Sequence, residues 1–172
     1  MRSISFTPRF YVAATLLVII LLIAIFGPMI VRTDPNATVG GLYDRPAGWG
    51  PLLLGTDNEG QSVVANLVYG TRTSLIVGLI AGTIATVIGL TVGIIAGFRG
   101  GWLDSTLSRF AEIFIAIPLL LGGIVFLTVY PNQAGDPYFL IVGKIVLVLT
   151  ILSWPRLMRI MRGSVLQVKP AE

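Results

Sequence analysis

The chain has 172 residues, 55% of them hydrophobic and only 12% charged, with a mean hydropathy of +0.88 and a net charge of +4. A soluble domain would carry about a quarter charged residues, so this composition belongs in a membrane, and the positive balance follows from arginines that set orientation there rather than from nucleic-acid binding. With no cysteine and no histidine, disulfides, thiolate metal sites, catalytic triads and imidazole proton relays are excluded within the chain.

The first apolar run, from about Phe10 to Val31, follows Arg2 and Arg9. It is longer than a signal-peptide core and no small-x-small cleavage site follows it, so it reads as an uncleaved anchor. Gly27-Pro28 is expected to kink or loosen its last turns, because proline removes a backbone donor. A polar region rich in Pro, Gly and Asp then runs over 32–74. Thr56 and Glu59 have the spacing of a capping box. Val63, Val64, Leu67 and Val68 fall on one face, and Gly70 suits a left-handed stop. These signals predict a short amphipathic helix lying at the external membrane surface.

The second span, 75–98, carries no charge. Gly78, Gly82, Gly89, Gly93 and Gly97 share an arc of about 100° on a helical projection. A strip of this kind lets another backbone approach closely. It serves ordinary bundle packing or, in the sharper reading, the lining of a pathway. A loop, "RGGWLDSTLSR", leads to a third span over 110–130, with Asp104 or Ser105 as its cap and Pro118 as a kink in its middle. The last run, Tyr138 to Trp154, meets Pro155, which is expected to bend the chain into a basic tail, "RIMRGSVLQVKPAE". The span reaches about residue 158.

Orientation follows from the cations. With the N-terminus inside, eight of them (Arg2, Arg9, Arg99, Arg109, Arg156, Arg159, Arg162 and Lys169) fall in inside segments, against three outside (Arg32, Arg45 and Arg72). Both termini are therefore expected in the cytoplasm. Glu112 and Lys144 are the ionisable residues within or beside spans, where charge needs a reason. Anchoring at headgroups and snorkelling are the plain readings, substrate contact the sharper one. No phosphate-binding loop, H-E-x-x-H or pair of intramembrane aspartates occurs, so an enzymatic reading has no chemistry to stand on.

The phrases "LGTDNEGQSVVANLVYGTRTSLIVGLIAG" and "GLTVGIIAGFRGGWLDSTLSRFAEIFIAIPLLL" resemble the C-type inner-membrane permease subunits of dipeptide/oligopeptide/nickel ABC importers. Leu54 to Asp57, Tyr69 to Leu75, Gly100 to Asp104 and Ile117-Pro118 match family phrases in order, whereas Gln61-Ser62 stand where the family has Arg-Asp. The resemblance implies an all-α integral membrane fold. Four of an expected six transmembrane helices are present, with an interfacial helix between the first and second. The domains are then 1–31 (cytoplasmic N-terminus and first span), 32–74 (external loop) and 75–172 (start of the permease domain).

It also implies a multi-pass inner- or plasma-membrane importer subunit, not itself an enzyme, that forms part of a translocation pathway for peptides or similar small solutes. Its partners would be a homologous permease, two ATP-binding subunits and an extracytoplasmic solute-binding protein, besides membrane lipid, with no nucleic acid. ATP and magnesium would sit on the ATPase subunits, with no cofactor or metal on this chain. Arg159, Arg162, Gly163, Val165, Leu166, Lys169, Pro170, Ala171 and Glu172 match the start of the loop through which such permeases touch the ATPase. Gly78, Gly82, Gly89, Gly93, Gly97 and Pro118 are the candidates for packing or pathway. The family pattern continues past this loop into two more spans, so a fragment or a truncated permease is expected. The alternative is a non-transporting four-helix scaffold or regulatory subunit whose basic tail recruits a partner or lipid. No ring-forming polar pattern recurs along one span, which argues against a small channel.

Overall fold

A computed structural model describes residues 7–133 and 135–168. Five helices make up its secondary structure: α1 (Pro8–Ile30), α2 (Val63–Arg99), α3 (Gly101–Ala116), α4 (Leu119–Val129) and α5 (Tyr138–Val168). Among the described residues there is no strand, only two isolated bridges, Thr38 with Gln61 and Thr56 with Ser62. Helices α1, α2 and α5 are each long and apolar enough to cross a membrane, and α3 with α4 forms a further candidate span bent by 77°. The membrane class expected from composition and the all-α fold implied by the resemblance are what the chain adopts.

The chain divides into two compact units, Met1–Ile76 and Val77–Glu172. In the first, α1 opens with Pro8 at its start, where a missing N–H costs nothing. Its side chains are exposed almost all round, with only Ala24 and Gly27 buried, as suits a helix whose solvent is lipid. The helix runs through Pro28 to Ile30. Gly27 has a packing role there: a Cβ on it would lie 2.6 Å from Val68.

The polar region folds on itself through buried hydroxyls. Thr56 donates from Oγ1 to the Gly41 carbonyl at 2.6 Å and accepts the Asp44 N–H at 2.7 Å. Asp57 Oδ1 accepts the N–H groups of Glu59 and Gln61, each at 2.9 Å. The expected capping box is therefore absent, because Thr56 and Asp57 are committed to the loop. Ser62 takes over instead: its Oγ accepts the Ala65 N–H at 3.2 Å and donates to the Pro51 carbonyl. Gly70 does not stop the helix either. It lies inside α2 with open space beside it, so the expected interfacial helix and the second span are one continuous helix. In lipid a break exposes backbone that water cannot satisfy, which favours running on.

In the second unit α2 and α5 run parallel and interlock. A Cβ on Gly89 would lie 2.8 Å from the Trp154 carbonyl, one on Gly93 2.7 Å from the Met158 carbonyl, and one on Gly97 2.7 Å from the Val165 side chain. Ala85, Ala96, Ala111, Trp154 and Met158 form the buried core. Phe110 and Phe114 lean on Trp154, with ring centroids 6.2 and 5.9 Å away. Helix α5 continues through Pro155, which is fully buried; the expected bend into a separate tail does not occur, and the basic segment is the last third of α5.

Pro118 acts differently. Ile117 before it is extended (φ −82°, ψ 117°) and the helix breaks outright, as a β-branched residue preceding proline favours. Helix α3 begins at Gly101, earlier than expected, so Asp104 lies in its first turn rather than capping it, and Gly100 is the residue at the cap.

Candidate coupling site

Gly100 and Gly101 both have positive φ, 65° and 58°, a conformation open to glycine at little cost. This turn lets α3 start immediately after α2 ends, and it presents Asp104 to the last turns of α5. Arg162 meets it with both arms of its guanidinium: Nε donates to Asp104 Oδ1 at 2.5 Å and Nη2 to Oδ2 at 2.7 Å. Paired, planar bonds of this kind are the strongest and most directional that a side-chain ion pair makes. The Ser108 hydroxyl adds a longer bond to Oδ1 at 3.4 Å. The Asp104 side chain is only 14% exposed.

Two turns along α3, Glu112 faces Arg159 at 3.8 Å, with both side chains more than half exposed. Such a pair contributes little. Glu112 is thus well inside α3, not at its beginning. Ser108, Ala111, Glu112, Met158, Arg159 and Arg162 together line a polar crevice of about 250 Å³ between α3 and α5.

Of the residues expected to couple, Lys169, Pro170, Ala171 and Glu172 lie outside the described residues. The other five occupy the last turns of α5. Arg159 and Arg162 are in the two ion pairs. Val165 is buried over Gly97, Leu166 is exposed, and Gly163 borders open space. Asp104 is the residue sequence reasoning missed: its partner lies fifty-eight positions away. The available signal was one acidic side chain in a loop on the same side as a strongly basic tail.

The glycine arc separates into two parts. Gly89, Gly93 and Gly97 carry the contact with α5. Gly78 and Gly82 instead border an open groove of about 390 Å³ with Thr83 and Thr86. Pro118 stands at the break, beside an apolar cleft of about 430 Å³ whose walls include Phe114, Ile117, Leu121, Val148 and Leu152. At the far end of α5, Lys144 Nζ donates to the Pro131 carbonyl at 3.0 Å and to Asn132 Oδ1 and Asp136 Oδ2 at 3.3 Å each. Its charge staples the α4–α5 loop.

Lys144 and Arg162 are about eighteen residues apart on one helix, roughly 27 Å at about 1.5 Å per residue. They bind opposite ends of the α3–α4 pair, so the two ends of the broken pair lie about that far apart along α5, a separation close to the thickness of a hydrocarbon core.

Residues 89–172 match the family described as binding-protein-dependent transport system inner membrane component. The chain is 35% identical over 164 residues to the oligopeptide transport system permease protein OppC of Bacillus subtilis (strain 168), covering 94% of this chain and 50% of that protein. It is 38% identical over 154 residues to the dipeptide transport system permease protein DppC of Escherichia coli (strain K12), covering 87% and 49%. It is also 32% identical over 141 residues to the peptidoglycan transport system permease protein YejE of Agrobacterium fabrum (strain C58 / ATCC 33970), covering 82% and 32%. The chain thus spans half or less of the length of each of these relatives.

Proposed function

We propose, from the premise that this chain belongs through residues 89–172 to the binding-protein-dependent transport inner-membrane components, that it serves as a permease subunit of an ATP-driven importer. The solute is peptide-like, in keeping with the oligopeptide, dipeptide and peptidoglycan systems named for its relatives. The chain has no ATP chemistry of its own. Hydrolysis, with its magnesium, belongs to two partner ATPase subunits, and a homologous permease and an extracytoplasmic solute-binding protein complete the assembly. Both termini face the cytoplasm, by the excess of inside arginines. The C-terminal turns of α5 lead toward the ATPase.

The observation that carries this reading is the coincidence of two things in residues 89–172. They match the family, and they contain the interlocked ends of α2, α3 and α5, joined through Gly93, Gly97, Asp104 and Arg162. A partner pushing on the end of α5 would therefore act on three helices at once.

The test is to tag the N-terminus, extract native membranes in mild detergent and identify by mass spectrometry what co-purifies, together with the length of the tagged chain. Two nucleotide-hydrolysing subunits and a second permease are expected. Recovery with no nucleotide-hydrolysing subunit would refute the importer role and favour a scaffold.

A further inference from the structure

The contacts holding α3 against α5 are of two kinds. Along most of their length they are ring and hydrocarbon contacts: Phe110 and Phe114 on Trp154, and Ala111 in the buried cluster with Trp154 and Met158. Apolar contact has no preferred direction, so surfaces of this kind can slide. The bidentate Asp104–Arg162 pair cannot slide without breaking, because both bonds require one relative placement of carboxylate and guanidinium. It is held from three further sides. Ser108 bonds the carboxylate. Val165, one turn below Arg162, is seated over Gly97 of α2. The Gly100–Gly101 turn allows almost no slack between the end of α2 and Asp104. By contrast the exposed Glu112–Arg159 pair, at 3.8 Å, has the looseness of a contact that can exchange with water.

We propose that Asp104 and Arg162 are positioning residues forming a rigid joint, which makes the start of α3 and the end of α5 move as one body and delivers displacement of the α5 end to the break at Ile117–Pro118. This rests on the permease reading above and specifies how its coupling would be transmitted. Without the joint, the end of α5 would move along α3 over its apolar contacts, and the displacement would be lost before it reached the broken span.

Two measurements test it. The first uses the native complex with its ATPase subunits in liposomes, following uptake of a labelled dipeptide and ATP hydrolysis in the same vesicles. Asp104→Asn and Arg162→Lys, the latter keeping the charge and losing the fork, are expected to lower solute moved per ATP hydrolysed several-fold in complexes that still assemble. An unchanged ratio in both variants, or a parallel fall of uptake and hydrolysis, would overturn the joint, the second result marking a merely structural bridge.

The second uses spin labels at S105C and S164C in the same chain. A single narrow distance is expected, identical with and without bound ATP, and broadened by Asp104→Asn. A distance that changes with ATP in the otherwise native protein would show that the two ends do not move together. Failure of the chain to bind an ATPase at all would sink the permease reading. The spin-label distance and its response to Asp104→Asn would then still decide whether the joint is rigid.

Discussion

Lys144 illustrates how a charge inside a membrane segment is resolved by reach. Its stem carries the ammonium to the α4–α5 loop, where it meets a carbonyl, an amide oxygen and the Asp136 carboxylate. The Gln133 backbone N–H, bonded to Asp136 Oδ2 at 3.0 Å, and secondarily Lys144 hold this carboxyl below the usual carboxylate range. A carboxyl lowered on folding adds stability above its unfolded pKa, and loses it as pH falls through the lowered folded value. The loop at 131–137 should therefore resist proteolysis unchanged from neutral pH down to the ordinary carboxylate range, and become cleavable only below it. Lys144→Met should bring the onset of cleavage to higher pH without abolishing the transition, since the Gln133 N–H remains. Limited proteolysis of the detergent-solubilised protein across pH, with mapping of the cut sites, checks both statements. The plain reading of Lys144 as a snorkelling residue was available from its position alone; the loop it gathers was not, because Asn132 and Asp136 look like ordinary turn residues until the turn is closed.

At the scale of elements, the glycines of α2 separate face from partner. A periodicity of about 3.6 residues marks which positions share a face, and all five glycines of the arc do. It says nothing of what the face meets at each depth, and only the lower three meet α5. Gly93→Ala would set a Cβ 2.7 Å from the Met158 carbonyl and 2.9 Å from Met161 Cβ. The backbone must move, at about 1–3 kcal/mol for overpacking of this kind. Gly78→Ala meets nothing within 4 Å and should be neutral or slightly stabilising. Thermal unfolding in detergent should place the first variant several degrees below the parent and leave the second at or above it. Equal melting temperatures would mean that α2 and α5 are not this close.

The two prolines follow the same logic. Pro155 stays helical because its neighbours Trp154 and Met158 are pinned over Gly89 and Gly93. Pro118 follows a β-branched residue, Ile117, that is held in an extended conformation, and it breaks its helix. Proline chemistry is legible in a sequence; the packing that overrules it depends on residues sixty positions away. The same distance hid Asp104, whose local surroundings resemble a helix cap and whose partner lies near the other end of the second unit.

For the molecule as a whole, the sense of insertion proposed from the arginines is open to direct test. Because the sequence has no cysteine, any introduced one is a unique label. Trp49, 96% exposed between two glycines of positive φ, and Ser164, exposed on α5, are the positions that the proposed topology assigns to opposite sides. In intact cells or right-side-out vesicles, W49C should react with a membrane-impermeant maleimide, and S164C only after permeabilisation. The reverse pattern would invert the proposed topology.

The break at Ile117–Pro118 has one more consequence. Gly122, four residues beyond Pro118, packs against Leu152, about midway along α5 between the Lys144 staple and the Arg162 joint. The interruption therefore falls within the apolar length of this candidate span, where the last carbonyls of α3 and the first amides of α4 have no helical partners. Hydrocarbon cannot satisfy them, at several kcal/mol per orphaned group. A span broken there is excluded from a purely lipid environment. The break must be shielded by neighbouring protein or wetted by a cavity, and a shift between those two conditions would change the hydration of backbone inside the membrane.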